Sequence, residues 1–165
     1  MDLRKHSFPP VTDAATRLLV LGSLPGERSL AEQRYYAHPQ NQFWRLISAV
    51  AGQDLGALDY AARLAALKDA HIGLWDVVAS ARRTGSTDAA LRDVEGHDIA
   101  ALAATLPDLR AIAFNGATAF KTGTRQLGDA ATCYTIIALP SSSALHTVGF
   151  EKKLPEWQAL RALIS

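Results

Sequence analysis

Cysteine is all but missing from this sequence: Cys133 stands alone among 165 residues, which excludes an internal disulfide and any cluster or structural zinc built on several thiolates. An excess of one charge is missing too. The 17 Lys and Arg face 16 Asp and Glu, a net +1, so the composition lacks the strongly basic footprint of a phosphate-driven nucleic-acid binder. No run approaches the roughly 18 apolar residues that a membrane span needs, and Met1 leads into Asp2, Arg4 and Lys5 rather than an apolar signal segment. The expectation is a cytoplasmic chain with no membrane attachment, no metal and no cofactor. Internal repeats, low-complexity tracts and linkers are also lacking. What is present, 48% hydrophobic and 20% charged residues, suffices for one domain over residues 1–165 with a core that needs no covalent staple. The local cationic pairs, Arg82 with Arg83 and Lys152 with Lys153, read either as a basic rim or as solvated surface.

Short branched apolar runs at 17–23, 72–78, 109–114 and 134–139 have the look of strands buried on both faces of a parallel sheet. Between them, apolar residues at three- and four-residue spacing predict helices over 41–51, 57–70, 97–106 and 117–127. A last helix is expected over 155–164, with Pro155 in its first turn. The polar stretch 79–87 reads as a loop. Strands alternating with helices imply a three-layer α/β/α fold with a mostly parallel central sheet. In such sheets ligands gather beyond the carboxyl ends of the strands. The turns that begin at Gly22, Phe114 and Leu139 are therefore expected to face one crevice.

The chemistry lies in those turns. From Gly22 through Ser23, Leu24, Pro25 and Gly26 to Ser29, glycine lets the backbone approach a ligand closely, and free amide groups there suit a base oxygen or a phosphate. The plainer reading is a turn that needs glycine and proline for its conformation. Tyr35, Tyr36, His38, Pro39, Gln40, Asn41, Gln42, Phe43 and Trp44 then set aromatic faces beside amide side chains within ten residues. That mixture suits a pocket that stacks a planar base and bonds its edge. His38 and His146 fit general-acid or phosphate roles, since histidine titrates near neutral pH. Without clustered carboxylates or a His-x-x-x-His spacing they make a poor zinc site.

Taken with Gly73 to Val78, Phe114 to Ala119 and Leu139 to His146, these segments resemble the uracil-DNA glycosylase superfamily, most nearly its hypoxanthine-DNA glycosylase branch and next the mismatch-specific uracil glycosylases. The resemblance spans most of the chain in the family's order. It implies a monomeric enzyme that flips a deaminated base out of DNA and hydrolyses its bond to the sugar. Matched by position, Tyr36 is implied to stack on that base. Gly22, Ser23, Leu24, Pro25 and Asn115 are implied to line its polar edge, and Ser29, Ser141, Ser142, Ser143 and His146 to contact DNA. Leu145 is the implied wedge. Core packing for Tyr36, turn formation for Asn115 and an ordinary loop for the serines are the competing readings.

One departure matters. Where many superfamily members carry an Asp or Asn that positions the attacking water, this chain has Leu24, which cannot orient water. The hypoxanthine branch also lacks that group, and its pattern directs attention to Asn41 as the residue that holds water or sugar. Asn41 reads equally well as a helix N-cap, and the two roles are compatible. No lysine lies where an amine nucleophile is expected, so hydrolysis without strand cleavage is implied. A lesion-binding module without turnover and an enzyme on free nucleosides are the alternatives from other classes.

Overall fold

The computed structural model describes residues 4–146 and 148–165. Its centre is a parallel sheet in the order β3 (Ile72–Asp76), β2 (Leu18–Gly22), β6 (Ala111–Asn115), β7 (Thr135–Leu139). Strand alternation sorts the apolar runs into two cores. Leu18 and Val20 face one side, with Leu46, Ile47, Leu67 and Trp157, under α2 (Phe43–Ala51), α3 (Tyr60–Asp69) and α6 (Phe150–Gln158). Leu19 and Leu21 face the other, with Ile99, Phe114 and Leu127, under α4 (Ile99–Ala104) and α5 (Ala117–Leu127). A short α1 (Glu27–Glu32) follows β2. This is the expected three-layer α/β/α arrangement.

Register brings the strand ends level. Gly22 pairs with Asp76 and Asn115 with Leu139, so the last residues of all four strands share one edge. Gly116 then takes φ +100°, a left-handed conformation that glycine adopts freely, and turns the chain into α5 against Ser141.

Four expectations need correction. The stretch 79–87 is not all loop, because β4 (Val78–Arg82) begins one residue after β3 and pairs antiparallel with β1 (Arg4–His6) and β5 (Arg92–Gly96). All five residues of β5 are exposed, so this second sheet lacks the apolar alternation that marks strands. Helix α1 occupies what read as a turn. β7 is only partly buried, since it lies at the end of its sheet. The final helix starts at Phe150, which puts Pro155 inside it, and a 3-10 turn covers Ala159–Leu163. Phe150, Leu154, Trp157 and Leu160 keep the apolar face continuous through the proline.

Candidate active site

A cleft of about 510 Å³ opens over the carboxyl ends of the sheet. Every site residue expected from the sequence lines it: Asn41, Tyr36, Asn115, the Gly22 to Pro25 turn, Ser29, Ser141 to Ser143, Leu145 and His146. Residues as far apart in the chain as Asn41 and Ser142, 101 positions, meet here because of the strand register.

The polar wall is one hydrogen-bonded chain whose direction two backbone amides set. Phe43 N–H donates to Asn41 Oδ1 (2.9 Å), and Ser142 N–H donates to Asn115 Oδ1 (2.9 Å). A backbone amide cannot accept, so neither side-chain amide can be turned round. Asn115 Nδ2 therefore donates to Ser142 Oγ (2.9 Å) and to Tyr36 Oη (3.2 Å), and the Ser142 hydroxyl proton goes to Asn41 Oδ1 (2.8 Å). Two groups are left to act on a ligand, the Tyr36 hydroxyl proton and the Asn41 Nδ2 amide. Both are donors. Asn41 Oδ1, already holding two bonds, has no lone pair left for a water proton.

Asn41 does resemble a cap, since its oxygen meets the first amide of α2, although Gln42 is the residue at the N-cap position. Gln42 N–H donates to the Ser142 carbonyl (2.9 Å), and the buried Lys153 ammonium joins Gln42 Oε1 (2.8 Å) to the Ser143 carbonyl (3.3 Å). The loop before α2 is thereby closed onto the serine turn.

Tyr36 sits at φ +54°, a costly conformation for an aromatic residue that its surroundings must hold in place. One ring face stacks on Phe43 (centroids 3.9 Å apart, 14° between planes), which leaves only the other face for a base. Burial pushes its phenol well above the ordinary value, so the hydroxyl keeps its proton.

Several residues are placed differently from their expected roles. Ser142 is 1% exposed with donor and acceptor both engaged, so it joins two amides and has no hydroxyl proton left for a phosphate. Ser29 is buried and accepts from Ala37 N–H (3.0 Å), which supports the Tyr36 segment. The Leu24 side chain lies in the core with Val77 and Phe114, at the wall of the cleft. Ser141 and Ser143 accept from the amides of Ser143 and Leu145 (both 3.1 Å), which leaves their hydroxyl protons free to donate. Leu145 projects from this turn 65% exposed. Ser23 Oγ donates to Asp88 Oδ1 (2.6 Å), a carboxylate on the opposite rim.

Asp76 had no role in the reading of the sequence, although a charged residue closing an otherwise apolar run is a visible signal. It is 3% exposed, lines the cleft floor and accepts from Ser7 Oγ at Oδ2 (2.9 Å). A methyl group on Gly22 would lie 2.9 Å from Asp76 Oδ1 and 3.1 Å from Tyr36 Oη, so glycine is what keeps this floor open. Burial pushes the Asp76 carboxyl up to about 7, with the Asp88 charge adding to the rise and Ser7 and Arg83 opposing it.

That shift has a consequence for stability. A carboxyl whose folded pKa lies above its unfolded value supports the fold fully below about pH 4, and the support is lost as pH rises through about 7. Asp76→Asn, which cannot ionise, is therefore expected to melt progressively higher than the wild type between pH 4 and 7, with a constant difference above that. Melting curves across this range check it, and a difference independent of pH would contradict the assignment.

Among the described residues no group of three or more His, Cys, Asp or Glu is placed to hold a metal ion, and no helix is long and apolar enough to cross a membrane.

Known proteins are similar to this chain in sequence and in fold. A hypoxanthine DNA glycosylase of Methanosarcina acetivorans is 39% identical over 158 residues, 94% of this chain and 97% of its own. One from Methanosarcina barkeri is 44% identical over 114 residues, 69% of this chain and 72% of its own. A solution NMR structure from M. acetivorans, described as a candidate uracil DNA glycosylase, superposes with a TM-score of 0.84 at 38% identity, covering 99% of this chain and 100% of that one. The sequence profile of the Uracil DNA glycosylase superfamily matches residues 9–163, which takes in every strand of the parallel sheet and every residue of the cleft, and the chain belongs to that superfamily.

Proposed function

We propose that this chain is a monofunctional DNA glycosylase that hydrolyses the bond between sugar and base in deoxyinosine flipped out of DNA, with deoxyuridine as a second substrate. The observation that carries the reading is the directed network, which leaves two of its donors, Tyr36 O–H and Asn41 Nδ2, unengaged on residues that line the cleft. When the bond breaks, negative charge develops on the departing base, and fixed donors aimed at such charge each contribute ~3 kcal/mol in comparable sites. The two hypoxanthine DNA glycosylases among its relatives point to the same base.

In this reading Tyr36, its ring backed by Phe43, points its hydroxyl at the polar edge of the base. The amide groups of Ser23 and Leu24 complete the base pocket. Asn41 acts as a donor, to the oxygen of the attacking water or of the sugar. Ser141, Ser143 and His146 approach the phosphates, and Leu145 fills the space left in the duplex.

Duplex oligonucleotides carrying hypoxanthine, uracil, xanthine or ethenocytosine test this. The expected product on hypoxanthine is an alkali-labile abasic site, with no strand break before alkali. Binding without turnover would identify a lesion-binding module, and release of base from free deoxyinosine would identify a nucleoside hydrolase. Either result replaces the proposal.

A further inference from the structure

We infer that Asp76 is the proton donor to the departing base, its Oδ1 delivering the proton to N7 of a 6-oxopurine whose O6 is held by the Tyr36 hydroxyl. The inference rests on the glycosylase reading above and goes beyond it by naming a general acid.

Geometry supplies the first support. Asp76 ends β3 opposite Gly22 in the register, and its Oδ2 is held by Ser7. Its Oδ1 has no hydrogen-bond partner among the described residues, and it and Tyr36 Oη border the same space, which Gly22 leaves empty. Two donors bordering one space suit the O6 and N7 edge of a 6-oxopurine, which offers two acceptors. Adenine offers one acceptor and an amino donor there, and is refused.

Charge supplies the second. The groups around the carboxyl are Ser7 after β1, Tyr35 and Tyr36 before α2, and Arg83 and Asp88 after β4. Among the described residues no cation is in hydrogen-bonding contact with it, and the nearby Asp88 disfavours a second negative charge. A carboxylate here would also oppose the negative charge growing on the base, whereas the neutral acid relieves it. An acid that titrates near 7 is well matched to proton transfer at neutral pH.

The step balances. The C1′–N9 bond breaks with its electron pair passing to the base, the Oδ1 proton moves to N7, and hypoxanthine leaves neutral. Water adds to C1′, and its surplus proton restores the acid through solvent.

Single-turnover excision of hypoxanthine from duplex DNA, followed from pH 5 to 9, tests this with the wild type and Asp76→Asn. The wild-type rate is expected to fall above about pH 7. Asp76→Asn should be slower by ~10² to 10³ at pH 6, within the range for general acids, and should lose that fall. DNA carrying 7-deazahypoxanthine, which has no nitrogen at position 7, should be bound by the wild type but cleaved at least ~10²-fold more slowly, from the same range. A variant at the wild-type rate, a variant that keeps the fall, or full-rate cleavage of the 7-deaza substrate would each overturn the inference. A wild type inactive on hypoxanthine would instead overturn the glycosylase reading itself.

Discussion

Asn41→Ala is expected to slow base excision by ~10² to 10³, the scale for removing one donor from a preorganised site. The loss should fall on the chemical step, because the amide is placed to act beside the base pocket and takes no part in the hydrophobic cores. The variant also gives up the bond from Phe43 N–H, a cap-like contact worth about 1 kcal/mol. For a chain of this size that lowers the melting temperature by about 2–4 °C. Asn41→Asp sharpens the test. The carboxylate still accepts from Phe43 N–H and Ser142 Oγ, but it replaces the free Nδ2 donor with an acceptor. If donation is what the site uses, Asn41→Asp is as slow as Asn41→Ala. If it is as fast as the wild type or faster, Asn41 serves as an acceptor for the water proton, and the directed network has been misread. Single-turnover rates with melting curves decide between the two.

The second large effect is on stability. Trp157 is fully buried on α6, meets Phe43 edge to face (centroids 5.9 Å apart) and donates from Nε1 to the Pro140 carbonyl (3.0 Å). Trp157→Ala removes a large core side chain and leaves that carbonyl without its donor, a loss of about 3–5 kcal/mol. The melting temperature should fall by on the order of 10 °C. The damage should also reach the site, since Phe43 backs the Tyr36 ring and Pro140 leads into the serine turn. Trp157→Phe keeps most of the packing and loses only the donor, so it should recover the larger part of the stability. Calorimetry on the two variants separates packing from the hydrogen bond. Equal losses would mean that the Pro140 contact dominates.

Legibility in the sequence followed the range of the interactions. The strand at 18–22 and the helix at 117–127 were readable because apolar spacing is local and the cores they serve are large. The sheet of β1, β4 and β5 was not, because its outer strands β1 and β5 are polar and join β4 through backbone bonds, Arg4 to Arg82 and Arg82 to Arg92. The start of α6 was missed because Pro155 is a stronger local signal than the apolar spacing running through it. In the site, Asn41 and Tyr36 were found through a motif. The inward hydroxyl of Ser142 was not foreseen, because nothing in a run of three serines tells which one points inward.

By itself the sequence determined the layer order, the parallel sheet and the set of turns that face one cleft, since alternation and periodicity decide which faces are buried and strand ends are where turns must fall. The tertiary structure alone decided the direction of the hydrogen bonds. Asn41, Ser142, Asn115 and Tyr36 are each ambivalent as residue types, able to give or to accept. Their polarity is set only when Phe43 N–H and Ser142 N–H, held by α2 and by the turn after β7, arrive as fixed donors. The state of Asp76 has the same origin, because a carboxyl is acidic or neutral according to the water and charge around it, and folding alone removes that water.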